Sequence, residues 1–207
     1  MQITNLTFDE ITVGDEATYT RLITNREVEA FAAVSGDHNP LHLDPDYAAT
    51  TPFGECIAHG MLTGALISAA IAMQLPGPGS VYLNQSIQFK APVLLGDALT
   101  VTLTVSDKHH KRPWITLQCN VTNQDSKTVA KGEAQVAAPT KKETVTIVPP
   151  PAIQLLAEAL LSDSDCTNCS GSTNISSSST TGSLGCGSTP SIITLISAPE
   201  TIGAVIA

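Results

Sequence analysis

The chain has 207 residues, with 19 acidic against 10 basic side chains and a net charge of −9. That balance excludes a nucleic-acid binder, which needs a basic footprint, although a local basic cluster can still serve a phosphate. The first ten residues, MQITNLTFDE, contain neither a basic nor an apolar stretch, so no signal peptide is expected and the cytoplasm is the expected compartment.

The length suits one domain with an appendage. Patterning is strong up to Pro139 and fails after it. The expected division is therefore a domain over residues 1–139 and a low-complexity C-terminal extension of unknown role over 140–207. Of the five cysteines, Cys56 and Cys119 lie in apolar surroundings and read as small core residues.

Gly14 and Asp15 turn the chain into a threonine-rich strand at 16–23. Thr24 and Glu27 match a capping box, so a helix starts there, with Val28, Phe31, Ala32 and Val34 as its apolar face and Ser35-Gly36 as its end. Asp44-Pro45 repeats the start signal for a short helix to about Ala49. The stretch 58–75, AHGMLTGALISAAIAMQL, carries no charge and no proline and is long enough for about five helical turns. Being apolar on nearly every side, it must be buried. Its polar residues and the missing basic and aromatic flanks favour a protein core over a membrane.

After the stop signal at 76–79 the period becomes two. Strands are expected at 81–90, 98–105, 114–122 and 128–138, each burying one face, as in an antiparallel sheet joined by hairpins. One long apolar helix with about five antiparallel strands is an α+β layout. Curling the sheet around the helix is the simplest way to bury it.

Between the first two helices lies SGDHNPLH, residues 35–42. Asp37 and His42 are both plausible proton carriers, and Pro40 keeps Asn39 extended. A plainer reading makes Asp37 and Asn39 turn residues and His42 a surface histidine. At His59-Gly60, the start of the long helix offers N–H groups without intrahelical partners, at the positive end of the macrodipole. A glycine there lets a ligand oxygen approach closely, as an oxyanion site requires. Alternatively, Gly60 only permits close packing.

FAAVSGDHNPLHLDPDYA, then FGECIAHGML, then QSIQFKAPVLLGD together resemble the MaoC-like hydratases, nearest to the small R-specific 2-enoyl-CoA hydratases. The resemblance spans about residues 8–138, and D-x-N-P-x-H is its most specific part. It implies a hot-dog fold, in which a curved antiparallel sheet wraps a long central helix, and a homodimer formed edge to edge. It implies hydration of a trans-2-enoyl-CoA to an (R)-3-hydroxyacyl-CoA, reversibly, in fatty-acid or polyhydroxyalkanoate metabolism.

By the same resemblance, Asp37 and His42 match the catalytic dyad, and Gly60 the backbone donor to the thioester oxygen. Ser68 matches a serine near the dyad, Asn39 belongs to the substrate-binding element, and Ile71 and Val136 line the acyl pocket. No cofactor is implied beyond the coenzyme A of the substrate, and no metal. Lys90, Lys108, Lys111 and Arg112 are candidates for the coenzyme A phosphates. Two other readings remain: a hot-dog acyl-CoA thioesterase, which lacks the D-x-N-P-x-H element, and a non-catalytic acyl-CoA-binding module, which is expected to lose a dyad member.

In the extension, 145–151 is a short apolar run and 152–161 reads as an amphipathic helix. Residues 166–189 are mostly Ser, Thr and Gly, a linker composition, and their three cysteines fall short of a four-ligand zinc site.

Overall fold

The computed structural model describes residues 1–149; the readings made for 150–207 lie outside them. Seven strands and four helices follow in the order β1 (Gln2–Thr4), β2 (Glu16–Leu22), α1 (Asn25–Ser35), α2 (Pro40–Leu43), α3 (Pro45–Ala49), α4 (Gly60–Met73), β3 (Val81–Phe89), β4 (Ala98–Lys108), β5 (Trp114–Thr122), β6 (Thr128–Ala137) and β7 (Thr144–Thr146). Five strands form one antiparallel sheet in the order β2-β4-β5-β6-β3. The alternation read from the sequence is what builds it. Leu99, Val101, Leu103 and Val105 of β4, with Ile115, Leu117, Cys119 and Val121 of β5, are all buried.

The helix α4 packs on this sheet, touching β2, β3 and β4, and buries Leu62, Leu66, Ile67, Ala70 and Ile71. Sheet and helix make the hot-dog arrangement that the resemblance implies. One expectation needs correction. The helix is not covered all round: Met61, Ala65, Ser68 and Ala72 stay exposed, at spacings of four, three and four that put them on one face. The edge strand β3 also leaves Val81, Tyr82, Leu83 and Phe89 substantially exposed.

The capping box is formed at α1: Glu27 accepts from the Thr24 hydroxyl and, at 3.0 Å, from the Thr24 N–H. Val28 and Ala32 face the core, whereas Val34 points outward and is 88 % exposed. Gly36 closes the helix in the left-handed region, φ 74°, where a side chain would be strained. That turn delivers the chain to Asp37.

The two three-residue strands β1 and β7 pair with each other, so strand pairing continues past Pro139. Buried Asn5 ties this corner together. Its Nδ2 donates to the Pro78 and Lys141 carbonyls at 3.1 and 3.0 Å, and its Oδ1 accepts from the Glu143 N–H at 2.9 Å. Among the described residues no helix is long and apolar enough to cross a membrane.

Candidate active site

Three consecutive caps fix the polar link. Asp37 Oδ1 accepts from the Asn39 N–H at 3.2 Å, Asn39 Oδ1 from the Leu41 N–H at 3.0 Å, and Asp44 Oδ1 from the Asp46 and Tyr47 N–H groups at 3.0 and 3.1 Å. Asn39 therefore caps α2, with Pro40 at the first helical position. The link thus contains a helical turn of its own, which the sequence did not announce, while Asn39 before the proline is extended as expected. His42 sits on that turn and points back toward the body. Its Nδ1 lies 2.7 Å from the Ile57 carbonyl. A carbonyl only accepts, so Nδ1 carries the proton and Nε2 is the nitrogen that can take one up or give one away.

The segment before α4 is held by the Ala58 N–H on the Val93 carbonyl, 2.8 Å, and by an isolated bridge between Ile57 and Leu94. It brings up a histidine that was not among the expected site residues. His59 is 2 % exposed and immediately precedes α4. Its Nε2 lies 3.0 Å from the main-chain oxygen of Asp37, and its ring stacks on that of His42, with centroids 3.8 Å apart and planes at 31°. One carboxylate oxygen of Asp37 and one ring nitrogen from each histidine lie within 4.8 Å of one another.

The trio has donor types that suit zinc. Tetrahedral zinc, however, sets its ligands about 3.3 Å apart with lone pairs converging on one point, whereas stacked rings send theirs side by side. Proton transfer is the chemistry this geometry favours.

Gly60 opens α4 beside the trio. A Cβ built there would lie 3.3 Å from Cζ of Phe89, closer than ordinary contact. Glycine thus keeps both the aromatic wall and the approach to the first N–H groups of the helix. His42, Gly60, Thr63, Phe89 and Lys90 line a cavity of about 390 Å³ whose remaining walls are mostly apolar. The residues share a site across a sequence gap that only folding closes.

Other expected residues lie elsewhere. Ser68 is on the exposed face of α4, eight positions from Gly60 and so about 12 Å along the axis. Ile71 and Val136, 2 % and 0 % exposed, are core residues away from this cavity. Of the cationic candidates, Lys108 is spent on the Phe8 and Ile11 carbonyls and lies over the Phe8 ring at 4.4 Å. Arg112 stacks on Trp114, also at 4.4 Å. Lys90 is the one of the four that lines the cavity.

Cys56 lines a second cavity, on another side of His42. Burial, with the charges of Asp44 and Glu55, pushes its thiol above the ordinary range, which keeps it protonated and poor as a nucleophile.

A family model described as "MaoC like domain" matches residues 10–130. An (R)-specific enoyl-CoA hydratase of Rhodospirillum rubrum is 42 % identical over 134 residues, covering 65 % of this chain and 92 % of the relative. Another (R)-specific enoyl-CoA hydratase, from Aeromonas caviae, is 45 % identical over 127 residues, covering 61 % and 95 %. Among solved structures, the unliganded R-hydratase PhaJ1 of Pseudomonas aeruginosa matches with a TM-score of 0.73 at 50 % identity, covering 75 % of this chain and 99 % of that one. More than half of the length is matched by the family model, and the chain belongs to the MaoC-like domain family.

Proposed function

We propose that the protein is an (R)-specific enoyl-CoA hydratase, adding water to a trans-2-enoyl-CoA to give the (R)-3-hydroxyacyl-CoA and catalysing the reverse dehydration. The observation that carries this reading is the approach of the Asp37 carboxylate to the His42 imidazole, which itself lines, with the glycine that opens α4, one largely apolar cavity. The likeness to relatives bearing that name supports the substrate class and the stereochemistry. Fatty-acid or polyhydroxyalkanoate metabolism is the proposed setting, in the cytoplasm, where acyl-CoA thioesters are used.

The reaction adds water's oxygen to the β carbon and a proton to the α carbon. Charge develops on the thioester oxygen as the β carbon is attacked. The Gly60 N–H, unpaired and at the positive end of the helix, stabilises that charge. One proton must leave the water and one must reach the α carbon. The Asp37 carboxylate and His42 Nε2 form the acid–base pair that exchanges them, and they act as a coupled unit. No electron is transferred, so the reaction needs no redox cofactor on paper. Lys90, at the cavity wall, is positioned to meet a coenzyme A phosphate.

The working unit proposed is a homodimer. The open face of α4, Met61, Ala65, Ser68 and Ala72, and the exposed apolar residues of β3 are the surfaces a second copy would cover. A twofold axis beside antiparallel α4 helices would carry Ser68 of one subunit toward the dyad of the other. That gives Ser68 a route to an orienting role that it lacks within one chain.

The test is to incubate the purified full chain with crotonyl-CoA. Loss of the conjugated enoyl absorbance without free thiol, and a 3-hydroxy product of R configuration, are expected. Thiol release, or an unchanged substrate, would overturn the assignment.

A further inference from the structure

The side chain of His59 does not cap the helix it precedes. The residue before a helix contributes most when its side chain accepts a hydrogen bond from the first turn, as Ser, Thr, Asp or Asn do. His59 makes no such bond. Its ring nitrogens are used differently. Because the Asp37 carbonyl at 3.0 Å can only accept, Nε2 bears the hydrogen and Nδ1 is a bare acceptor. That Nδ1 is buried and has no hydrogen-bond partner among the described residues. A buried acceptor left unpaired costs about 1–3 kcal/mol. The position therefore forgoes both the cap bond and a satisfied acceptor.

What the side chain does instead is hold two other residues. Through Nε2–H it fixes the backbone that carries the Asp37 carboxylate. Through its ring, 3.8 Å from that of His42 between centroids, it fixes the imidazole plane, and Phe31 packs on the same His59 ring with centroids 5.1 Å apart. His42 has a matching anchor at Nδ1 on Ile57, two residues from His59. The link and the start of α4 thus lock each other at the point where the two proton carriers meet.

We propose that His59 is a positioning residue that sets the relative placement of Asp37 and His42 for proton transfer, acting by a main-chain hydrogen bond to one and by stacking on the other. The inference rests on the hydratase reading and assigns His59 no contact with substrate. Its effect therefore falls on the chemical step rather than on binding.

The test uses three variants of the full chain in crotonyl-CoA hydration, each with its melting temperature, alongside wild type and Asp37→Asn. His59→Gln keeps an N–H that reaches the Asp37 carbonyl but loses the stacked ring. His59→Phe keeps the ring and loses the donor. His59→Leu loses both. Misplacement of a reacting group by about 1 Å costs roughly a hundredfold in rate. The expected kcat is accordingly down about a hundredfold for Leu and about tenfold for Gln and for Phe, with KM within about threefold of wild type throughout.

A Leu variant within threefold of wild-type kcat overturns the proposal. So do Gln and Phe variants no faster than Leu at equal melting temperature. If the Leu variant does not fold, Gln and Phe decide alone, and losses below threefold in both overturn it. An inactive wild type, or a fully active Asp37→Asn, overturns the hydratase reading or the dyad instead, which is a different result from any of these.

Discussion

Gly60 meets two demands with one missing atom: a Cβ there would lie 3.3 Å from the Phe89 ring, and on the proposed mechanism its N–H must stay open to a ligand oxygen. In Gly60→Ala the new methyl would push the ring by a few tenths of an ångström, across the mouth of the oxyanion site. Displacements of that size cost less than the hundredfold of a full ångström, so kcat/KM should fall by about tenfold with the fold unchanged by circular dichroism. Unaltered kinetics would remove Gly60 from the site.

At this scale the sequence was informative where the functional groups are crowded. Asp37, Asn39 and His42 lie within six residues, and their spacing points to a constrained link. His59 is 22 positions from the carbonyl it holds, and the sequence pointed at His59-Gly60 only for the helix N–H groups, with no role for the imidazole. Only the fold reveals that it faces Asp37. Lys90 could likewise not be distinguished from Lys108 until the latter was found donating to Phe8 and Ile11.

Among the elements, period-two alternation marked β4, β5 and β6 most clearly, because each of them buries one face and exposes the other. By contrast, β2 was marked by its threonines after a turn, and β3 buries no residue within one chain. The helices α1 and α3 were marked by caps, Thr24 with Glu27 and Asp44 with Pro45, and α4 by its uncharged apolar run. The pairing of β1 with β7 was not readable. Each is three residues long, and the Thr4–Thr144 contact spans 140 positions, so no local signal links them. Nor did alternation indicate that β3 would join β6 at an edge.

That edge depends on Gly132 of β6. A Cβ there would sit 1.9 Å from the Ser86 carbonyl oxygen of β3, a backbone atom that cannot move aside alone. Overpacking of well-fitted interiors costs about 1–3 kcal/mol, occasionally more. Gly132→Ala should lower stability by at least that amount in urea unfolding and loosen β3 first in hydrogen exchange. A variant as stable as wild type would mean that the two strands are not in this register.

For the whole molecule, the sequence reading of a helix apolar on every side is right about composition but incomplete about one chain. The face made by Met61, Ala65, Ser68 and Ala72 is what a single copy leaves open. The proposed homodimer would cover that face, and sedimentation equilibrium of the full chain should then return twice the chain mass. Ala65→Glu places a charge in the middle of the face and, on the proposed dimer, should yield a monomer with reduced kcat. A wild-type monomer with full activity would contradict the dimeric unit.

The central claim concerns two side chains brought together by the polar link and the start of α4. Its most direct measurement is kcat/KM for crotonyl-CoA hydration by Asp37→Asn and by His42→Ala, each shown folded by its melting temperature. General acid–base groups contribute about 10²–10⁴-fold, so each variant should lose activity by that order. Either variant hydrating the substrate at close to the wild-type rate would contradict the claim.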